Sequence, residues 1–581
     1  MQTGHKLKGS RLREDLMGNN KKATEMKAEK KKKKQKHIMP EKEQQEHRPE
    51  LKKQKLEGKE QGVKEQQELT PEEKRTLERK LKKERKKKEK QLMREAGIVA
   101  KKEEPKKPSG SELALDYLTS WSQNPKEWKF QKTRQTWLLS HMYNKEKLSE
   151  KYGPVFTLHF GLQKVVVLTG YEAVKEALQS KADEFIDRPP IPIFSKIQHG
   201  NGVVFSVGEL WKITRRHILT SLRDFGMGKK EIEETILEEL HFLMEMIKTF
   251  KGAPFALKTV ATAPTNITFT ILFGSRFDYA DPIFVTLLKL INDVMTLLGS
   301  PFLQLFNVYP FLGFLFKPHK MILRKCEEAC EILRKYIQES KKSINENNLR
   351  HYIDTMVLKQ QEEETDNGKV IFHDANILAT VLDLVMAGTE TTATTLQWAI
   401  LLMMKYPEIQ QKVQEEIKRV LGSERPPTFE DKKWMPFANA VVHEVQRFST
   451  ILQHLPRCTS VDTCFRSYFI PKGTMVIPSL TSVLFDKTQW ETPDQFNPNH
   501  FLDAKGNFVK KDAFIPFSTG RRSCPGESLA RMELFLFFVG LLQRYTFHLP
   551  PGMTRSDLDL TAEVGFTLRP KAFSTCAVPC E

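Results

Sequence analysis

No apolar run in this sequence of 581 residues is long enough to cross a membrane. A spanning helix needs about 20 apolar residues. The stretch Leu534–Leu542 is far shorter, and Phe302–Phe316 is broken by Gln304, Asn307 and Pro310. No transmembrane helix is therefore expected. A secretory signal is not expected either, because residues 1–40 carry the run Lys30–Lys34 and no apolar segment. Cysteine is scarce and odd in number: Cys326, Cys330, Cys458, Cys464, Cys524, Cys576 and Cys580. Their spacing suits neither a disulfide framework nor a zinc knuckle, and a reducing compartment fits better. Cys326 and Cys330 share one face of an expected helix, a spacing common to buried thiols and to metal pairs, and burial is the simpler account.

What is present is charge, unevenly spread. The net charge is +19, from 92 Lys and Arg against 73 Asp and Glu. Residues 1–110 hold 36 of the basic and 20 of the acidic side chains, a net of +16, and the rest of the chain carries +3. A basic leader thus precedes a nearly neutral remainder, which excludes reading the whole chain as a nucleic-acid binder. Residues 1–69 are Lys/Glu/Gln-rich and too poor in apolar side chains to offset chain entropy, so a disordered basic tail is expected. Thr70-Pro71-Glu72-Glu73 reads as a helix start. The charged helix it opens and a Lys/Pro/Ser/Gly linker fill 70–110. Polar all round, that helix is either solvated or laid on a polyanion. Residues 111–147 form a short amphipathic helical piece with Trp121, Trp128, Phe130 and Trp137 among Lys129, Lys132 and Arg134. The run from Trp128-Lys129-Phe130 to Leu139 resembles the WKF-domain family, here as a truncated domain.

Residues 148–581 change character. Val155–Phe160 and Lys164–Leu168 are β-rich runs around Gly161, a hairpin pattern. A helical pattern covers Glu172–Gln179, long amphipathic helices dominate from Leu210, and strand-like pieces lie in Phe465–Ile477. The fold class expected is mainly α with small β-sheets, around one large core.

The strongest chemical signal is Phe517-Ser518-Thr519-Gly520-Arg521-Arg522-Ser523-Cys524-Pro525-Gly526. Glycines on either side let the backbone turn tightly about one thiol, a cation stands beside it, and an apolar helix follows. A free thiol is only a few per cent ionised at neutral pH, whereas a bound metal would deprotonate it. The decapeptide resembles the cysteine loop of the cytochrome P450 family, the haem-thiolate monooxygenases. That resemblance covers 148–581 and is nearest to family two, with Leu455-Pro456-Arg457-Cys458-Thr459 similar to its W subfamily. It implies haem b with Cys524 as the axial ligand of the iron.

Further motifs agree with the resemblance. Ala387-Gly388-Thr389-Glu390-Thr391-Thr392 lies in an expected helix from Asp374 to Met404. Mid-helix Gly and successive Thr weaken a helix, so a local opening is expected. By resemblance Thr391 and Glu390 there are catalytic, steering protons to oxygen, with Ala387 and Gly388 leaving space. Glu444-Val445-Gln446-Arg447 places an acid and a base on one helix face. With His500 it resembles the family's structural Glu-Arg lock. Trp211 and Arg215 share a helix face and, with His199, Arg457, Arg522 and Phe517, are implied to hold the haem.

The implied activity is insertion of one oxygen atom from O2 into a lipophilic molecule. Implied pocket walls are Phe194, Ile197, Val204, Ala387, Ile451, Leu452 and Phe566. Electrons are expected from NADPH through cytochrome P450 reductase, with cytochrome b5 as a second donor. The basic cluster Arg216, Arg223, Lys229 and Lys230 would steer an acidic flavoprotein or simply solubilise the surface. Phe302–Phe316 is expected to dip into the endoplasmic reticulum membrane. Two other readings stand beside this one. The basic leader would bind RNA in the nucleus or nucleolus, with the oxygenase as passenger, or the abrupt change between Tyr143 and Leu148 marks two neighbouring genes joined in error.

Overall fold

The computed structural model describes residues 152–580 apart from 162, 228, 316 and 366–369. The tail, charged helix, linker and WKF-like segment expected over 1–147 lie outside the described residues, as does the boundary at 148.

In chain order the strands are β1 (Val155–Phe160), β2 (Gln163–Leu168), β3 (Phe255–Ala256), β4 (Arg457–Cys458), β5 (Thr463–Phe465), β6 (Tyr468–Ile470), β7 (Met475–Pro478), β8 (Tyr545–His548), β9 (Glu563–Val564), β10 (Leu568–Arg569) and β11 (Ser574–Pro579). The helices are α1 (Tyr171–Lys175), α2 (Pro192–Gln198), α3 (Gly208–Asp224), α4 (Lys230–Thr249), α5 (Thr262–Phe273), α6 (Pro282–Leu298), α7 (Pro301–Val308), α8 (Pro318–Ser343), α9 (Tyr352–Thr365), α10 (Asp374–Lys405), α11 (Pro407–Leu421), α12 (Pro436–Ser449), α13 (Leu480–Leu484) and α14 (Glu527–Arg544). Helix thus dominates, as the periodicity predicts.

The largest sheet runs β1-β2-β7-β4. β1 and β2 form the expected hairpin in the register Val155↔Leu168 to Phe160↔Gln163. Gly161 turns it at φ +63°, under the ring of Tyr309. β2 pairs in parallel with β7 and β7 antiparallel with β4, so segments some 300 residues apart share one sheet. Val155, Val166, Leu168 and Val476 pack one of its faces into a small core with Trp490 and Phe501.

The main core gathers around α10 and α14, both buried on nearly every side. Full burial of each Leu, Ile or Phe there contributes about 1.5–3 kcal/mol. Close approach needs small residues. A Cβ at Gly540 would stand 2.3 Å from Leu240 of α4, and one at Gly388 would stand 2.3 Å from the Thr268 hydroxyl of α5. α10 begins at an N-cap in which the His373 side chain accepts from the Asn376 N–H, and it ends before Pro407. The opening expected at Gly388–Thr392 is not there, and helix runs from Asp374 to Lys405 without a break. The threonine hydroxyls donate to carbonyls four residues back, Thr391 to Ala387 at 3.0 Å and Thr395 to Thr391 at 2.9 Å, so the helix is decorated, not opened.

The pattern over Glu172–Gln179 is realised as α1 followed by a π-turn, Glu176–Ser180. Its Leu178 carbonyl oxygen lies 1.8 Å from where a Cβ on Gly520 would be, and Gln179 Nε2 donates to Thr519 Oγ1 at 2.6 Å. The π-turn is thereby the seat of the cysteine loop.

Candidate active site

The loop 517–526 leaves Phe517 half-buried under the guanidinium of Arg531, 5.1 Å from its ring centre. It bends through Ser518 (φ 60°) and Gly520 (φ 76°), and the Cys524 N–H donates back to the Phe517 carbonyl at 3.0 Å. The Cys524 side chain is uncovered, yet burial among protein atoms pushes its thiol up to about 11, against the pull of the Gly526 N–H bonded to the sulfur. The thiol is thus open to a small molecule while protein atoms surround it. Ala387 is likewise exposed in the middle of α10, between the buried Val385 and Thr389.

Beside the thiol loop four guanidiniums converge. Burial, then repulsion from Arg457, Arg522 and Arg215, holds Arg188 well below its ordinary value. Burial and Arg215 lower Arg457 to about 10; burial and Arg457 lower Arg522 to about 9, with Asp187 offsetting part of this. Arg215 is lowered by burial too, and its Nη2 donates to the Ser523 carbonyl at 2.7 Å. The Arg522 guanidinium lies 3.9 Å over the Trp211 ring. Trp211 Nε1 and Arg457 Nη1 are buried with no hydrogen-bond partner. Among the described residues none of the four makes an ion pair. Buried charge without a partner costs several kcal/mol, so the cluster calls for an anion. His199 caps α2 at φ 50°, is exposed, and shares no hydrogen bond or ion pair with the cluster.

Residues 128–577 match the profile of the family described as Cytochrome P450. The chain belongs to the cytochrome P450 family. It is similar to Cytochrome P450 2W1 of Homo sapiens (53% identical over 434 residues) and of Mus musculus (51% over 434 residues). It is similar also to Cytochrome P450 2K1 of Oncorhynchus mykiss, 48% identical over 439 residues. Each alignment covers 74% of this chain and 86–88% of the relative. The family match begins upstream of residue 148 and overlaps the WKF-like segment.

As a P450 monooxygenase of the family-two type the chain takes haem, and its residues fit that group. A thiol stands uncovered with an N–H already aimed at its sulfur, and orphaned indole and guanidinium donors lie among cations that make no ion pair among the described residues. Haem would bring an iron to the first and two propionates to the second. Arg188 was not foreseen. It sits in Asp187-Arg188-Pro189-Pro190, where the rigid prolines are the only sign of a fixed backbone.

In this P450 the residues expected to wall the pocket come from distant segments, and several of them meet. Phe194 stacks on Phe205 at 3.9 Å and meets Phe566 edge-on at 6.2 Å. Ile197, Val204 and Ile451 pack half-buried against the same core, with Leu452 half-buried beside Ile451. Phe205, which sequence reasoning missed, joins this group through its stack on Phe194. Phe566 is placed by its own N–H, which donates to Met295 at 2.8 Å, and by Leu568, whose N–H donates to Ile451.

Glu390 and Gly388 serve contacts the sequence did not suggest. The Glu390 carboxylate is held by Arg569 through Nε at 2.5 Å and Nη2 at 2.7 Å, and by the hydroxyls of Thr567 and Thr394. Arg569 also donates to Asn292 and Thr296 of α6. Glu390 therefore ties the Phe566 loop to α6 and α10, and Gly388 lets α10 approach α5.

The structure brings Glu444, Arg447 and His500 together in full burial. Arg447 donates to both Glu444 oxygens at 2.7 Å, and Glu444 also accepts from the Asn497 N–H at 2.8 Å. His500 Nε2 accepts from the Thr492 N–H, so its Nδ1–H is the donor facing Glu444, at 3.2 Å.

Proposed function

We propose that the chain inserts one oxygen atom from O2 into a lipophilic small molecule of the xenobiotic, fatty-acid, steroid or retinoid type. The observation that carries this reading is the uncovered but desolvated Cys524 beside four unpaired guanidiniums. Cys524 would hold the iron, and Trp211, Arg215, Arg457 and Arg522, with Arg188, would hold the propionates. Haem bound through a thiolate supplies the activation of O2. The protein's part is to exclude water, hold the substrate and deliver protons. Apolar Phe194, Phe205, Ile451 and Phe566 favour a lipophilic substrate. The Thr391 hydroxyl, one helical turn from the uncovered Ala387, is the group we assign to proton steering. Glu390 assists by fixing the pocket's C-terminal wall and not at the reacting oxygen.

Electrons would come from NADPH through cytochrome P450 reductase, with cytochrome b5 as a second donor. Support comes from an open pocket of about 560 Å3 beside α3, lined by Lys212, Arg215, Arg216, Arg223 and Arg521, a face that suits an acidic flavoprotein. We place the enzyme at the endoplasmic reticulum membrane. Phe311 and Phe314 are each 73% exposed, beside exposed Phe302 and Leu315. Among the described residues no single helix is long and apolar enough to span a membrane, although α6 and α7, bent by 67°, pass that test as a pair.

The test is the carbon-monoxide difference spectrum of the reduced, haem-loaded chain. A red-shifted thiolate band is expected, and Cys524→Ser should abolish both band and turnover. A folded, haem-loaded wild-type chain without that band would overturn the Cys524 assignment.

A further inference from the structure

The loop between α2 and α3 carries Val203, Val204 and Phe205 into the pocket wall, and it is tied from two sides. On the α10 side the buried Asp383 carboxylate accepts the N–H groups of Val203 at 2.8 Å and Val204 at 3.0 Å, and the side-chain amide of Gln198. Asn376 accepts the Gly202 N–H at 2.9 Å and donates to Thr214 of α3 at 3.0 Å. Gly202 sits at φ +81°, and a Cβ on it would lie 2.5 Å from the Asp383 carboxylate, so only glycine allows the approach. From the other side the same residues are held by their carbonyls. Arg188 Nε donates to Val204 at 2.9 Å, and Arg522 donates to Val203 at 3.5 Å and Ser206 at 2.8 Å. Val204 is thus gripped at its N–H by an acid of α10 and at its carbonyl by an arginine of the anion-seeking cluster.

Among the described residues Asp383 has no ion-pair partner, and the donors to it are two backbone N–H groups and one amide. A buried carboxylate satisfied in this way positions the backbone that satisfies it. Arg188 and Arg522 are shared between loop and cluster, so an anion held by the cluster would fix in place the same guanidiniums that hold the loop.

We propose that Asp383 is a positioning residue that sets the Val203–Phe205 wall independently of haem, while Arg522 and Arg188 couple that same wall to haem occupancy. The inference rests on the proposed haem and pocket reading. It separates two effects: changes at Asp383 alter the fit of the pocket and spare the cofactor, whereas changes at Arg522 alter both.

The experiment uses the full chain loaded with haem, as wild type, Asp383→Ala, Asp383→Asn, Gly202→Ala and Arg522→Ala. Imidazole probes the iron alone; 4-phenylimidazole probes the iron and the pocket wall together. In Asp383→Ala the affinity for 4-phenylimidazole relative to imidazole should fall about tenfold, roughly what one of the three lost hydrogen bonds contributes. Amide exchange at 202–205 should quicken, and haem content should stay at the wild-type level. Asp383→Asn keeps an acceptor oxygen and should recover part of both. Gly202→Ala should reproduce the alanine phenotype even if Asp383→Ala does not fold. Arg522→Ala should lose haem and loop protection together, and haem extraction from wild type should quicken exchange at 202–205. Unchanged exchange and an unchanged ligand ratio in Asp383→Ala and Gly202→Ala would overturn the proposal, as would haem loss in parallel with loop loosening in Asp383→Asn. A missing thiolate band in wild type would instead strike the haem reading, while loop exchange in the Asp383 variants would still report on the latch.

Discussion

Two buried arginine sites in this protein are built on opposite plans. All five N–H groups of Arg447 are used: two on Glu444, and one each on the carbonyls of Leu484, Pro493 and Gln495 at 2.8–2.9 Å. Its partner Glu444 is as fully buried, at 0% exposure, and equally satisfied. Around Cys524, by contrast, four guanidiniums repel one another, a guanidinium nitrogen and an indole N–H have no acceptor, and among the described residues no carboxylate forms an ion pair with them. A charge whose every hydrogen is spoken for belongs to the scaffold. A buried cluster left incomplete belongs to a ligand, and its charge gives the ligand's sign.

The sharpest way to break this contrast is to remove one arginine from each site. Arg447→Ala strands Glu444 in the interior at a cost of about 3–5 kcal/mol. Little folded protein should be recovered, with or without haem, as read by urea melts. Arg457→Ala should act the other way on the haem-free chain, leaving its stability equal or higher because repulsion is relieved. Its haem should leave about ten times faster or more in a transfer assay to a haem acceptor, since a charge-assisted hydrogen bond contributes about 1.5–3 kcal/mol. If the two haem-free variants were destabilised alike, the distinction between scaffold and socket would collapse.

Glu533 on α14 shows a third arrangement. Thr392 bonds one side of its carboxyl, the other oxygen has no partner, and burial pushes it up from 4.5 to about 8. Such a group stays protonated in the fold and ionises in the unfolded chain. Its contribution to stability is complete below pH 4.5 and is lost as pH rises toward 8. Glu533→Gln should flatten the decline in stability over that window, so the variant gains on wild type as pH rises. Parallel curves for the two proteins would show that Glu533 is ionised in the fold.

The sequence carried these sites unequally. The cysteine loop, the i, i+3 pair Glu444/Arg447 and the limits of β1 and α10 follow from local patterns, so they were legible. The partners that decide a role were not. Glu390 meets Arg569 across 179 positions, Arg188 is defined by three carbonyls from two distant loops, and the neighbour that requires Gly388 is Thr268. Helix propensity predicted an opening at Gly388–Thr392; hydroxyls bonding back along the helix and tight packing overrode it. A lone acid among apolar residues, Leu382-Asp383-Leu384-Val385, was the one local hint of the loop latch.

The π-turn under the cysteine loop has a consequence for synthesis. Gln179 grips Thr519 across 340 positions, and the Leu178 carbonyl fills the space a side chain at Gly520 would need. The template for the thiol loop therefore leaves the ribosome long before the loop does, by on the order of tens of seconds at usual elongation rates. During that interval the early segment's partner is still untranslated, so this contact cannot form. Capture of haem by Cys524, as proposed, would then fall among the last events in the making of the chain.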